Sequence, residues 1–208
     1  MIAILDCTRQ DLPLLKREFV SPVVSIVERS GHQAMILPLA TTEVPVNLQG
    51  VILTGTALMD DHYLLHGIPE WLMKWTGPVL GICAGMQLIV IAGGGIVIPS
   101  EKIGMTEIMV TSDEEIFSGK ERFNAWELHQ SGVMPTESMK ILARSEAGVQ
   151  AVRCADRPWY GVLFHPEVRN EWIIINFLEI CSQHPHNNYD LEIQWRHPNS
   201  QKLLKSRL

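Results

Sequence analysis

Short apolar runs recur along the first hundred residues, and stretches with apolar positions at helical spacing separate them. Ile2–Asp6 is an apolar run closed by an acid, which predicts a buried first strand. Between Leu12 and Ser30 the residues Leu15, Phe19, Val23, Ile26 and Val27 follow a helical period that stops at Gly31. Pro22 lies within it and predicts a kink or a late start, because proline has no N–H to bond four residues back. Gln33–Leu37 and Val51–Thr54 predict a second and a third strand, and Leu64–Trp75 a helix that Pro69 interrupts or opens. Val79–Ile98 carries no charge and is long enough to span a bilayer. Gly81, Gly85 and Gly93–Gly95 break it up, so it reads as strand Pro78–Ile82, a tight turn, a buried helix to about Ala92 and a further strand.

Alternation of buried strands with helices predicts an α/β fold with a parallel sheet covered on both faces. From Lys102 the character changes. Thr106–Thr111, Glu121–Leu128, Met139–Ala143, Val149–Cys154 and Trp159–Phe164 are strand-like pieces joined by turns, an added, more antiparallel region. Glu171–Cys181 reads as a closing helix. The expected organisation is one domain over residues 1–183 and a polar tail, or partner-binding extension, over 184–208.

Composition narrows the class. Hydrophobic residues make up 46% and charged residues 19% of 208, as in an ordinary globular protein. A net charge of −6 argues against a nucleic-acid surface. Cys7, Cys83, Cys154 and Cys181 are far apart and form no C-x-x-C, and Met1–Asp6 has no basic start, so free thiols in a reducing cytoplasm are expected, without a membrane span. His32, His62 and His66 lack metal-ligand spacing and read as solvated or packed; no metal and no cofactor is expected. Asp60-Asp61 and Asp113-Glu114-Glu115 read as solvated turns.

Two segments carry chemistry. Gly81-Ile-Cys-Ala-Gly85 has a buried strand running in and an apolar helix running out. A nucleophile on such a tight turn needs small neighbours so that strand and helix can approach closely. It is then presented at the carboxyl end of the sheet, over a helix N-terminus that favours a thiolate. His165-Pro-Glu167 follows the strand Tyr160–Phe164 and so lies at a neighbouring strand end. A thiol needs a base to take its proton, and the base needs an orienting carboxylate. Alone, the first segment also fits a structural cysteine beside packing glycines, and the second is weak; together they match one chemistry.

Gly81-Ile-Cys-Ala-Gly-Met-Gln87 and Gly161-Val-Leu-Phe-His-Pro-Glu167 resemble, in order and separation, the two signatures of the class I, or triad, glutamine amidotransferases. The likeness runs from about Met1 to Cys181 and is greatest to the stand-alone glutaminase subunits of two-subunit GMP synthases. Supporting stretches are Asp113–Phe117, Lys140–Glu146 and Asn176–Cys181. The resemblance implies a flavodoxin-like, doubly wound sheet and a glutaminase that releases ammonia from glutamine. It implies Cys83 as nucleophile, His165 as base and Glu167 as its orienter. Gln87 resembles the residue that helps hold substrate glutamine, Ala84 N–H an oxyanion donor, and Gln130 and Ser131 the backbone clamp on the amino-acid end. No ATP-binding fingerprint is present, so the resemblance places the ammonia acceptor on a separate synthetase, GMP synthase or a paralogous partner.

Three stretches depart from the family pattern. Thr54-Gly55-Thr56-Ala57 replaces a glycine-rich loop, and Thr56 stands where a glycine supplies the second oxyanion N–H. Threonine reaches fewer backbone conformations than glycine, so Thr56→Gly is expected to free the loop and raise the basal rate. Leu128-His-Gln-Ser-Gly-Val133 lacks the acids of Ser-His-x-Asp-Glu-Val, and Val168–Glu171 is shorter than usual. Two alternatives stay open: a silent or weak regulatory paralogue, and a free-standing cysteine hydrolase acting on γ-glutamyl bonds.

Overall fold

The computed structural model describes residues 1–42 and 45–184. The predicted tail beyond His184 lies outside the described residues. Among the described residues nine strands form one sheet: β1 (Ile2–Asp6), β2 (Ala34–Pro38), β3 (Gly50–Leu53), β4 (Val79–Ile82), β5 (Ile96–Val110), β6 (Arg122–Met134), β7 (Met139–Ser145), β8 (Gly148–Cys154) and β9 (Trp159–Val162). Their order is β2-β1-β3-β4-β9-β8-β7-β5-β6. The first five in that order run parallel, and β8, β7, β5 and β6 continue antiparallel. This is the α/β fold expected, with its antiparallel addition. Trp159–Phe164 is placed differently: β9 pairs in parallel with β4 and closes the parallel part. The sequence pattern groups it with its chain neighbours, but its all-buried Trp159–Val162 suits a central strand.

Both sheet faces are covered. Along β1, Ile2 and Ile4 enter one core with Val23, Ile26, Ile174 and Phe177, while Ala3 and Leu5 enter the other with Trp71, Met86 and Ile89. The period of two along a strand thus divides one apolar run between two cores. The uncharged stretch resolves as β4, a turn at Cys83, helix α5 (Ala84–Ala92) and the start of β5. No helix among the described residues is long and apolar enough to cross a membrane.

Two helical expectations change in detail. The first helical stretch is α1 (Pro13–Leu15), a π-helical turn (Lys16–Val20) and α2 (Ser21–Arg29). Ser21 N–H bonds Lys16 O, five residues back, just where Pro22 cannot continue a regular α-ladder. Leu64–Trp75 is two short helices, α3 (Tyr63–His66) and α4 (Glu70–Met73). Gly67 at φ 66 and Pro69 separate them. Helix α6 (Trp172–Gln183) closes the described chain.

Candidate active site

The strands β3, β4 and β9 deliver the candidate residues to one end of the sheet. Cys83 joins β4 to α5 as its N-cap, at φ 47 and ψ −100. Few non-glycine residues occupy positive φ, and here the neighbours enforce it. A side chain at Gly81 would meet Gly85 C at 2.4 Å, and one at Gly85 would meet Leu53 O at 2.5 Å. The glycines are there because strand and helix press on one another. Cys83 N–H bonds Val162 O at 2.8 Å, which ties the turn to β9.

His165 and Glu167 follow β9 directly. The His165 ring is buried, with Nδ1 2.7 Å from Glu167 Oε1. Its backbone N–H bonds Trp126 O at 2.9 Å. Phe19, from the π-helical turn, packs on the ring at 5.7 Å between centroids. The other nitrogen, Nε2, has no hydrogen-bond partner, and the Cys83 thiol donates instead to Leu128 O at 3.8 Å. Burial works against protonation of His165; the Glu167 carboxylate, with Cys83 beside it, outweighs this and holds the ring well above its ordinary pKa. Cysteine and imidazole therefore interact across the site without a closed hydrogen bond. Gly55 lies between them: a side chain there would meet His165 Cε1 at 2.6 Å and Cys83 Cβ at 3.4 Å.

Cys83 and Ala84 line a cavity of about 270 Å³ together with Thr56, Gln87, Gln130 and Ser131. The structure thus brings the sequence-derived residues to one place, with Gly55, His165 and Glu167 behind the thiol. Thr56 is buried, and its backbone is outside the left-handed region. The replacement of glycine therefore costs no strain. Its hydroxyl donates to Asp60 Oδ2 at 2.5 Å, and Asp60 also accepts from Arg9 N–H at 3.0 Å. Asp60 is 6% exposed, so the expectation of a solvated turn fails there, while Asp61 is exposed. Gln87 Nε2 donates to Ser131 O at 2.9 Å, and Gln87 Oε1 accepts from Tyr63. Trp126 does not line the cavity; its carbonyl serves His165.

Asp60, Tyr63 and Phe19 are the residues that sequence reasoning passes over. Phe19 is legible only as core. Asp60 and Tyr63 depend on how the loop after Thr54 folds, and no local spacing announces that. His62 and His66 meet edge to face at 4.7 Å between centroids.

Residues 18–173 match the family model for glutamine amidotransferase class-I. The chain belongs to this family. It is 35% identical over 173 residues to a glutamine-hydrolysing GMP synthase subunit of Ignicoccus hospitalis, covering 76% of this chain and 89% of that one. It is 32% identical over 178 residues to the corresponding subunit of Pyrococcus abyssi, covering 80% and 95%. Among solved structures, a protein of the same GMP synthase subunit type from Thermoplasma acidophilum superposes with a TM-score of 0.74 at 26% identity, over 87% of this chain and 93% of that one. A glutamine amidotransferase of Thermotoga maritima, 20% identical and covering 86% and 84%, shares the fold with a TM-score of 0.62. This amidotransferase is thus a glutamine-hydrolysing type of enzyme with a cysteine nucleophile.

Proposed function

We propose that Cys83, His165 and Glu167 are the triad with which this amidotransferase hydrolyses glutamine. The observation that carries the reading is the strained N-cap Cys83 in the cavity wall, with the buried His165–Glu167 pair behind it. His165 Nε2 takes the thiol proton, and the sulfur attacks the side-chain carboxamide carbon of glutamine. The oxyanion that develops is met by the Ala84 and Thr56 N–H groups, with Gly55 leaving room for the loop. The tetrahedral adduct collapses as His165 returns its proton to the leaving nitrogen, releasing ammonia and leaving a γ-glutamyl thioester. Water, deprotonated by His165, cleaves the thioester to glutamate and restores the thiol. Glu167 keeps the ring oriented throughout. Gln87 holds glutamine, and the Gln130–Ser131 backbone clamps its amino-acid end.

The ammonia passes to a separate synthetase in the cytoplasm, the arrangement that the relatives from two-subunit GMP synthases suggest. A GMP synthase is the named candidate, and the departures at 128–133 and 168–171 fit a paralogous partner. Glutamate release by wild type and Cys83→Ala, with and without the candidate synthetase, tests both levels. Equal rates in the two chains would sink the triad; ammonia incorporation with no synthetase would sink the two-subunit scheme.

A further inference from the structure

We propose that the buried Glu127–His129 pair is a positioning unit for this site, pinning a bulge of β5 to β6 and thereby fixing the β6 carbonyls that hold Cys83 and His165. The inference rests on the glutaminase reading above. The β5–β6 hairpin is broken between Pro99 and Lys102. Pro99 pairs with Ser131 and Lys102 with His129, so Ser100 and Glu101 stand opposite the single residue Gln130. Such a bulge disrupts the ladder and re-aims the chain, often beside a functional site. Here the His129 side chain takes up the Ser100 carbonyl, with Nδ1 2.8 Å from Ser100 O. The other ring nitrogen, Nε2, is 2.6 Å from Glu127 Oε2.

Hydrogen accounting fixes the state of the pair. A carbonyl only accepts, so Nδ1 carries a proton. A second proton must lie between Nε2 and the carboxylate. The unit is an imidazolium beside a carboxylate, or its neutral tautomer, and in both cases it holds one proton beyond a neutral imidazole and a carboxylate. Burial acts to raise the Glu127 pKa, and hydrogen bonds to its carboxylate, that of His129 first, more than offset it. Gln150 Nε2 donates to Glu127 Oε2 at 2.8 Å and to Ser145 Oγ at 3.0 Å. The backbone carbonyl of Gln150 receives Leu163 N–H at 2.9 Å, two residues before His165. Glu127 and His129 are 0% and 2% exposed.

The residues between and around the pair face the chemistry through their backbone. Trp126 O holds His165 N–H, Leu128 O takes the Cys83 thiol, and Ser131 O takes Gln87. Neither ring nitrogen of His129 is left for substrate. The pair therefore acts through β6, as a clamp on the strand that aligns nucleophile and base.

The test uses the full chain and two variants. Glu127→Gln keeps the shape and removes the charge, so a neutral His129 bonded to Ser100 O needs the introduced amide nitrogen turned toward Nε2, where it opposes the Gln150 Nε2 donor. It is expected to lower kcat about 10- to 100-fold, as for loss of a hydrogen bond to a charged group, with a smaller rise in KM because Gln130 and Ser131 lie on the same strand. Alkylation of Cys83 by iodoacetamide, which needs no turnover, slows in step. In the second variant Glu127→Met is combined with His129→Phe. Replacing a buried ion pair by apolar groups of similar size often leaves stability intact, so this chain is expected to melt like wild type yet turn over slowly. Wild-type kcat in Glu127→Gln, or in a normally melting apolar variant, overturns the proposal. If Glu127→Gln does not fold, the apolar variant decides. Glutaminase activity that survives Cys83→Ala instead sinks the triad reading, and the alkylation rates of the chains that keep Cys83 still report on the clamp.

Discussion

Thr56 shows what a single residue in this site is asked to do. In the sequence it stands where a glycine is usual, which implies that Thr56→Gly quickens the enzyme. The structure changes the sign. Thr56 needs no left-handed backbone, and its hydroxyl is anchored on buried Asp60. Removing the anchor frees an N–H that must be aimed before the reaction. Thr56→Gly and Thr56→Val are now expected to lower kcat at least about tenfold, within the roughly 2.7–4 kcal/mol a lost oxyanion donor costs. Thr56→Ser is expected to stay near wild type; steady-state hydrolysis of glutamine separates the three. His165 gives a prediction about pH. Its pKa in the folded chain is raised, so the stability it lends is complete below its unfolded pKa of about 6.5 and is lost as pH climbs through the folded value. Urea midpoints are expected to decline from about pH 6.5 up to the folded value, and Glu167→Gln, which removes the main favourable charge, is expected to flatten the decline. An equally steep decline in the variant would contradict the assignment of cause.

At the level of elements, legibility follows locality. Gly81–Gly85 is readable because the reason for both glycines lies within five residues and one neighbouring strand: Gly85 rests on Leu53 O. Gly85→Ala would force a side chain onto that backbone oxygen and is expected to unfold the chain or lower its melting point sharply, as a thermal scan would show. Pro22 announces an irregular helix, but a proline looks the same before a kink and before a π-turn. Only the Lys16 O–Ser21 N bond distinguishes them. The consequence is Phe19, which the turn sets against His165. Phe19→Ala is expected to cost about 3–5 kcal/mol by core truncation, and to reduce turnover beyond what the unfolded fraction explains. Phe19→Leu, which keeps most of the volume, checks this: restored stability with slow turnover assigns Phe19 to the histidine, restored turnover assigns it to the core alone. β9 is misgrouped from sequence for the opposite reason. Its partner β4 lies far away along the chain, and no pattern in Trp159–Phe164 names a partner.

Across the whole molecule, the parallel strands form a two-faced core and the antiparallel hairpin β5–β6 leans over its active end. Gln87 is already engaged by Tyr63 and by Ser131 O from that hairpin. Glutamine must enter among groups that satisfy each other without it. The isolated chain is therefore expected to be a slow glutaminase, and a docked synthetase to raise kcat/KM by shifting the population toward the open arrangement. Tyr63→Phe removes one of the two competing bonds and is expected to raise the basal rate and shrink the partner's stimulation. Rates of glutamate release with and without the synthetase measure both; an unchanged ratio in Tyr63→Phe would count against this gating.

The bearing of Gly85 on the end of β3 has a consequence for tolerance to wear. The strand that props the helix of Cys83 runs on, after Leu53, into Gly55, where a side chain would strike His165 and reach Cys83. The proposed nucleophile, base and oxyanion loop are thus machined against one datum. A drift of β3 carries all of them along, and their spacing to each other is kept. On the opposite wall, the β5–β6 side, a lineage can rework side chains and leave the cutting edge in true only where the Trp126 and Leu128 carbonyls keep their hold on His165 and Cys83.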